Sequence, residues 1–233
     1  MWPALLFAQT PDSRGEVALT SPSYQGTEAN APIPPEMHIR NEGGSDGQGL
    51  CVIASSIING EYQGVPSIAG LGKESPLWKA AKQRPGGYFP EKLTKLIDEV
   101  LPEEKYANYL QSDPSILHRL SAEGYAIGAT MNTGQLYNYR HIAHMISLNH
   151  YQTDKWACVV DNNDPGKYHW MPAKEFDHRW TDGGTGWAFV WTRKKIDGGR
   201  ETEAYILLAM TAVIVLMAVE ADKRRINPPR FSP

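Results

Sequence analysis

The chain has 233 residues, 41% of them hydrophobic and 21% charged, which is the composition of a globular protein and excludes a disordered one. A formal charge of −3 gives no basis for a nucleic-acid partner, and two cysteines are too few for a disulfide framework.

The first nine residues, Met1-Trp2-Pro3-Ala4-Leu5-Leu6-Phe7-Ala8-Gln9, look like the end of a secretory signal, without its basic region and with a short apolar part. Residues 9–35 are rich in Ser, Thr, Pro, Gly and Glu, with Pro32, Pro34 and Pro35 close together, and read as a linker or extended arm. The folded domain is expected over residues 36–192. A glycine-rich stretch, Gly43-Gly44-Ser45-Asp46-Gly47-Gln48-Gly49, runs into Leu50 and Cys51. Residues 52–59 then predict a helix that starts at the cysteine, with Gly60 as its stop. Residues 90–101 have apolar positions at helical spacing behind Pro90, and residues 113–120 predict a short helix ended near Gly124. The pattern then changes to strands at 125–131, 144–150, 155–161 and 186–191. Helices first and an antiparallel sheet afterwards argue an α+β fold.

Beyond a linker at 193–203, the run that opens at Ala204 and closes at Val219 is 16 residues without a charge. A bilayer span takes about 20 apolar residues, with a lower limit near 17. The run is apolar on every face and is followed by Lys223, Arg224 and Arg225, so a single membrane span is expected in preference to a buried core helix. Arg193, Lys194, Lys195 and Arg200 on its other side leave the orientation open. Residues 220–233 form a tail.

The residues that carry chemistry come in an order. Cys51 stands at a helix N-terminus, where free N–H groups and the helix dipole favour thiolate. A thiol nucleophile needs a base, and a third group that orients the base. His144 opens one strand, and Asp161 and Asn162 close the next; in an antiparallel hairpin these two ends are neighbours. His141 is the alternative base. Gln48, three residues before Cys51, is near enough to give an amide N–H to an oxyanion. Cys158, in an apolar strand, reads as a small buried hydrophobe. His150 reads as a turn residue, and Tyr168-His169-Trp170 with Phe176 and Trp180 as cover for a sheet face. His141, His144, His150, His169, Asp177 and His178 lack metal-ligand spacing, so no metal and no cofactor is expected.

Gln48 to Ser55, His144 to Leu148 and Trp156 to Asn163 together resemble the papain-like cysteine peptidase superfamily. That superfamily has a Cys-helix, a His-strand and an Asn/Asp-strand in this order, with a glutamine upstream of the cysteine. Residues 40–191 look like a bacterial or phage branch of it, with its glycine-rich cysteine box at Gly49 to Ser55, its Gly-Gly-Tyr-x-Pro stretch at Gly86 to Pro90 and its Asp-Asn-Asn box at Asp161 to Asn163. Gln48 stands closer to its cysteine than in papain, Val52 replaces a tryptophan, and the Asn-Ser-Trp box is absent. The resemblance implies a papain-like fold and a peptide or protein substrate. Cys51 would then attack an amide, His144 shuttle the proton, Asp161 or Asn162 hold the imidazole, and Gln48 bind the oxyanion. Water as acceptor gives a peptidase or amidase; an amine gives a transpeptidase or transglutaminase. The alternative function is a catalytically silent, membrane-tethered module of a phage particle or cell envelope.

Overall fold

The computed structural model describes residues 27–132, 143–181 and 184–192, together with the backbone of 16–18. The first helix, α1 (Cys51–Tyr62), organises them. Ten of its twelve residues are buried, including Ile53, Ala54, Ile57 and Ile58, which no amphipathic surface helix would allow. It is followed by α2 (Pro76–Lys82), α3 (Pro90–Val100), the strand β2 (Tyr106–Gln111) and α4 (Ser115–Ala122). Then come β3 (Ile127–Asn132), β4 (Ala143–Tyr151), β5 (Trp156–Val160), β6 (Tyr168–Pro172), α5 (Ala173–Thr181) and β7 (Gly186–Trp191). A short strand, β1 (Glu16–Ala18), precedes them all.

The strands form one sheet in the order β1-β6-β5-β4-β3-β7-β2. The six strands from β6 to β2 pair antiparallel, and β1 joins β6 in parallel at the edge. Side chains of a strand alternate between faces, and the two faces here carry two cores. Met145, Trp187, Phe189 and Trp191 meet α1, α2 and α3 on one. Ile127, Ala129, Ile146, Leu148, Val159, Ala188 and Val190 meet α4 and α5 on the other. The fold is therefore α+β, a largely antiparallel sheet between two helical layers.

The order of elements is less segregated than helices first and strands after. β2 stands among the helices in sequence and pairs with the last strand, β7. Its residues are half-buried without alternation, as an edge strand's are, which leaves no period-2 signal. α2 is too short to show a period, although Ser75 caps it by accepting the Trp78 N–H at 3.3 Å and Pro76 opens it. The aromatic run Tyr168-His169-Trp170 is β6 itself, and Phe176 and Trp180 sit on α5 against the second core. His150 is no turn residue: a bulge between Leu148 and His150 lets β4 run on to Tyr151, and His150 is buried in it.

Gly60 does not end α1. The helix runs on to Tyr62, because Gly60 is the position where Ile68 and Trp191 press against it. Residues 27–35 of the arm contribute to the core: Ala31 and Ile33 are fully buried, and Ala31 N–H donates to Asn149 O at 2.8 Å. Among the described residues no helix is long and apolar enough to cross a membrane. The signal-like residues 1–9, the base candidate His141 and the apolar run 204–219 lie outside the described residues.

A Cβ on Gly60 would meet Ile68 Cδ1 at 2.8 Å and Trp191 Nε1 at 3.0 Å. Overpacking costs about 1–3 kcal/mol and alanine returns about 1 kcal/mol of helix propensity, so Gly60→Ala should lose up to about 2 kcal/mol in urea denaturation. A gain in stability would show that the helix end is not packed as described.

Candidate active site

The cysteine loop is built from its own backbone. Gly43 and Gly49 form an antiparallel bridge, Gly44 N–H donates to Gln48 O at 2.7 Å, and Leu50 N–H donates to Glu42 O at 2.9 Å. Gly47 takes φ 78°, a left-handed turn that favours glycine. This tight excursion delivers the chain into α1 with Cys51 as its first residue. Leu50, the N-cap, has no side chain to satisfy the first-turn N–H groups, so they remain aimed at the thiol end of the helix. Cys51 is half-buried and unbridged, as is the buried Cys158.

The sheet supplies the partners. In β4 and β5 Ser147 stands opposite Val160, so the chain leaving β5 passes the start of β4. There His144 Nε2 lies 2.8 Å from Asp161 Oδ1. Both side chains are almost wholly removed from water, at 4% and 2% exposure, where a charge needs a partner. The Cys51 thiol is the other group that acts on this imidazole electrostatically. Burial alone would lower the His144 pKa, but the Asp161 carboxylate and the Cys51 sulfur outweigh it and push it up to about 9. For Cys51, burial pushes the thiol up, and His144 with the Met145 and Val52 N–H groups outweighs that, holding it below the ordinary thiol value. Both shifts favour one state, a thiolate facing an imidazolium.

Asp161 and Asn162 are thus sorted by geometry. Asp161 holds the imidazole, and Asn163 N–H donates to the same Asp161 oxygen at 2.7 Å. Asn162 turns the other way. Its Nδ2 reaches Cys51 O at 3.1 Å, Ser55 Oγ at 2.9 Å and Met145 O at 2.9 Å, tying the start of α1 to β4. Gln48 is on the surface of the loop, and its Oε1 accepts the Gly87 N–H at 3.2 Å.

Asn163 had no role assigned from sequence. Its Nδ2 lies 3.3 Å from His144 Nε2, and its Oδ1 accepts from Asn41 Nδ2 at 3.1 Å. Asn41 N–H donates to Asn162 O at 2.7 Å and Arg40 to Asn163 O at 3.1 Å, so the residues leading into the cysteine loop are tied to the loop that carries Asp161. The signal for it is its place as the third member of the Asp-Asn-Asn box. Among the described residues no three His, Cys, Asp or Glu side chains gather as a metal ion would require. Compared with known proteins, the chain matches no family model and no curated protein.

Because His144 is raised above its ordinary 6.5, its pairing stabilises the fold fully below that pH and is lost as pH climbs through about 9. Asp161→Asn removes the first of the two raising partners, so an NMR titration of the His144 ring should show its midpoint well below about 9. An unmoved midpoint would exclude Asp161 as the orienting group. Asn162→Ala strands buried carbonyls and should cost about 2–3 kcal/mol of stability while the His144 midpoint stays near its wild-type value. A large shift of that midpoint instead would give Asn162 the orienting role.

Proposed function

We propose that the protein is a thiol-dependent acyl-transfer enzyme, a peptidase or amidase of papain-like fold with a peptide or protein substrate. The observation that carries this is the buried His144 imidazole held by Asp161, next to the β4 carbonyl that shares Asn162 Nδ2 with the backbone of Cys51, whose thiol it acts on electrostatically. A buried structural cysteine has no use for an imidazole that is itself oriented by a buried carboxylate; a nucleophile does.

The chemistry follows from the groups. The Cys51 thiolate adds to the amide carbonyl carbon, a C–S bond forms and the carbonyl electrons move onto oxygen. The first-turn N–H of Cys51, which has no acceptor within the helix, is the nearest backbone donor for that oxyanion. The Gln48 amide is the side-chain candidate, and one such donor is worth about 10²–10³ in rate. His144 as imidazolium gives its proton to the departing amine nitrogen, the C–N bond breaks, and an acyl-thioester remains on Cys51. His144, now neutral, takes a proton from water, whose oxygen attacks the thioester. Cys51 leaves as thiolate and the acid is released. An amine in place of that water makes the same site a transpeptidase or transglutaminase. Attachment to a membrane through residues 204–219 belongs to this proposal on the strength of their apolar sequence.

Wild-type protein should be labelled by a thiol-directed amide-mimic probe, with the adduct mapped to Cys51 by mass spectrometry, and Cys51→Ala should abolish the labelling. Equal labelling of the variant would sink the nucleophile. No labelling of folded wild-type protein would favour the silent binding module.

A further inference from the structure

Lys92 stands against a local rule. It is the third residue of α3, in the first turn, where the helix dipole is positive and a cation is disfavoured. Its side chain reaches back out of the helix into the turn before it. The ammonium lies 2.6 Å from Pro85 O, 3.1 Å from Gly86 O and 3.0 Å from Gly87 O, and 4.3 Å over the Tyr88 ring. Three carbonyls and an aromatic face occupy what is normally a strongly hydrated, mobile group.

The consequence lies on the other side of the same peptides. In a trans peptide the C=O and the following N–H point in opposite directions, and no peptide here is cis. Drawing Pro85 O onto Lys92 therefore turns the Gly86 N–H away, and drawing Gly86 O turns the Gly87 N–H away. Both of these N–H groups meet the cysteine loop: Gly86 N–H donates to Asp46 Oδ2 and Gly87 N–H to Gln48 Oε1. Gly86 sits at φ 78°, so the turn needs glycine there. Asp46 also accepts the Gln48 N–H at 3.1 Å, so Asp46 holds the backbone of Gln48 and Gly87 its side chain. With Oε1 engaged by Gly87, the Gln48 carboxamide keeps its Nε2 hydrogens for another acceptor.

We propose that Lys92 is a positioning residue for oxyanion stabilisation, acting through the Gly86 and Gly87 peptides to hold the Gln48 carboxamide three residues before Cys51. This rests on the acyl-transfer reading with Gln48 as an oxyanion donor. Lys92 itself touches no reacting atom.

Two electrophiles separate positioning from mere stabilisation. Iodoacetamide alkylates a thiolate by displacing iodide and needs no oxyanion site. With p-nitrophenyl acetate, Cys51 attacks the ester carbonyl through a tetrahedral oxyanion, p-nitrophenolate leaves in a burst, and water then frees acetate. Lys92→Met keeps the length of the stem and removes the ammonium. It should slow the burst by about tenfold or more while the rate and pH profile of Cys51 alkylation stay at wild-type values. Gln48→Ala should do the same, and in the double variant the Lys92 change should add nothing further, because both act on one group. Lys92→Arg, which keeps the charge but replaces a compact ammonium by a planar fork, should also slow the burst, and it serves if Lys92→Met does not fold. A wild-type burst rate in these Lys92 variants, additive losses in the double variant, or alkylation that slows together with the burst would overturn the inference. A wild-type protein with no Cys51-dependent burst would overturn the acyl-transfer reading and this inference with it.

Discussion

The carboxamide of Asn162 is where helix, sheet and loop are joined. One buried NH2 group reaches a carbonyl and a hydroxyl of α1 and a carbonyl of β4. Ser55 Oγ donates to that same Met145 carbonyl at 3.0 Å. These contacts set the separation between the first turn of the helix and the start of the strand. Cys51 and His144 are each within one residue of an atom in this cluster, so their mutual placement follows from it. Asn162 is fully buried, and a loop residue this deep without partners would unfold its surroundings.

On this frame the electrostatics are arranged in a row. A thiol at a helix N-terminus, an imidazole and a carboxylate alternate in preferred charge, and each buried charge has an opposite one beside it. Removing His144 would leave the other two charged and unpaired away from water, whereas removing either end leaves the imidazole one partner, so the three titrate together. Another buried histidine, His169, lies 3.6 Å from Asp164, and burial pushes its pKa down, the opposite direction from His144.

Much of the site was legible because it depends on chain order and hairpin geometry. A cysteine opening an apolar helix, a histidine opening one strand and an acid closing the next must come together once the two strands pair. The choice between Asp161 and Asn162 was not legible. Adjacent residues at a strand end point in opposite directions, and only the position of α1 decides which one meets the imidazole. Gly60 misled for a related reason: its intrinsic tendency to end a helix is outweighed by Trp191 and Ile68, which arrive from 131 and 8 residues further along the chain and require an absent side chain. β2 was invisible because an edge strand, wet on one rim, has no alternation, and His150 because a bulge carries no sequence mark of its own. Lys92 did carry a mark, a cation in the first turn of a helix, where local preference alone would not put it.

The contacts of Lys92 fall on backbone oxygens and not on side chains. The letters at 85 and 87 are therefore open to drift as long as the turn keeps its shape, while the lysine and the left-handed Gly86 are not. A divergent copy of this protein would be recognised by the spacing of that glycine and lysine from the cysteine loop, more than by the identity of the residues between them.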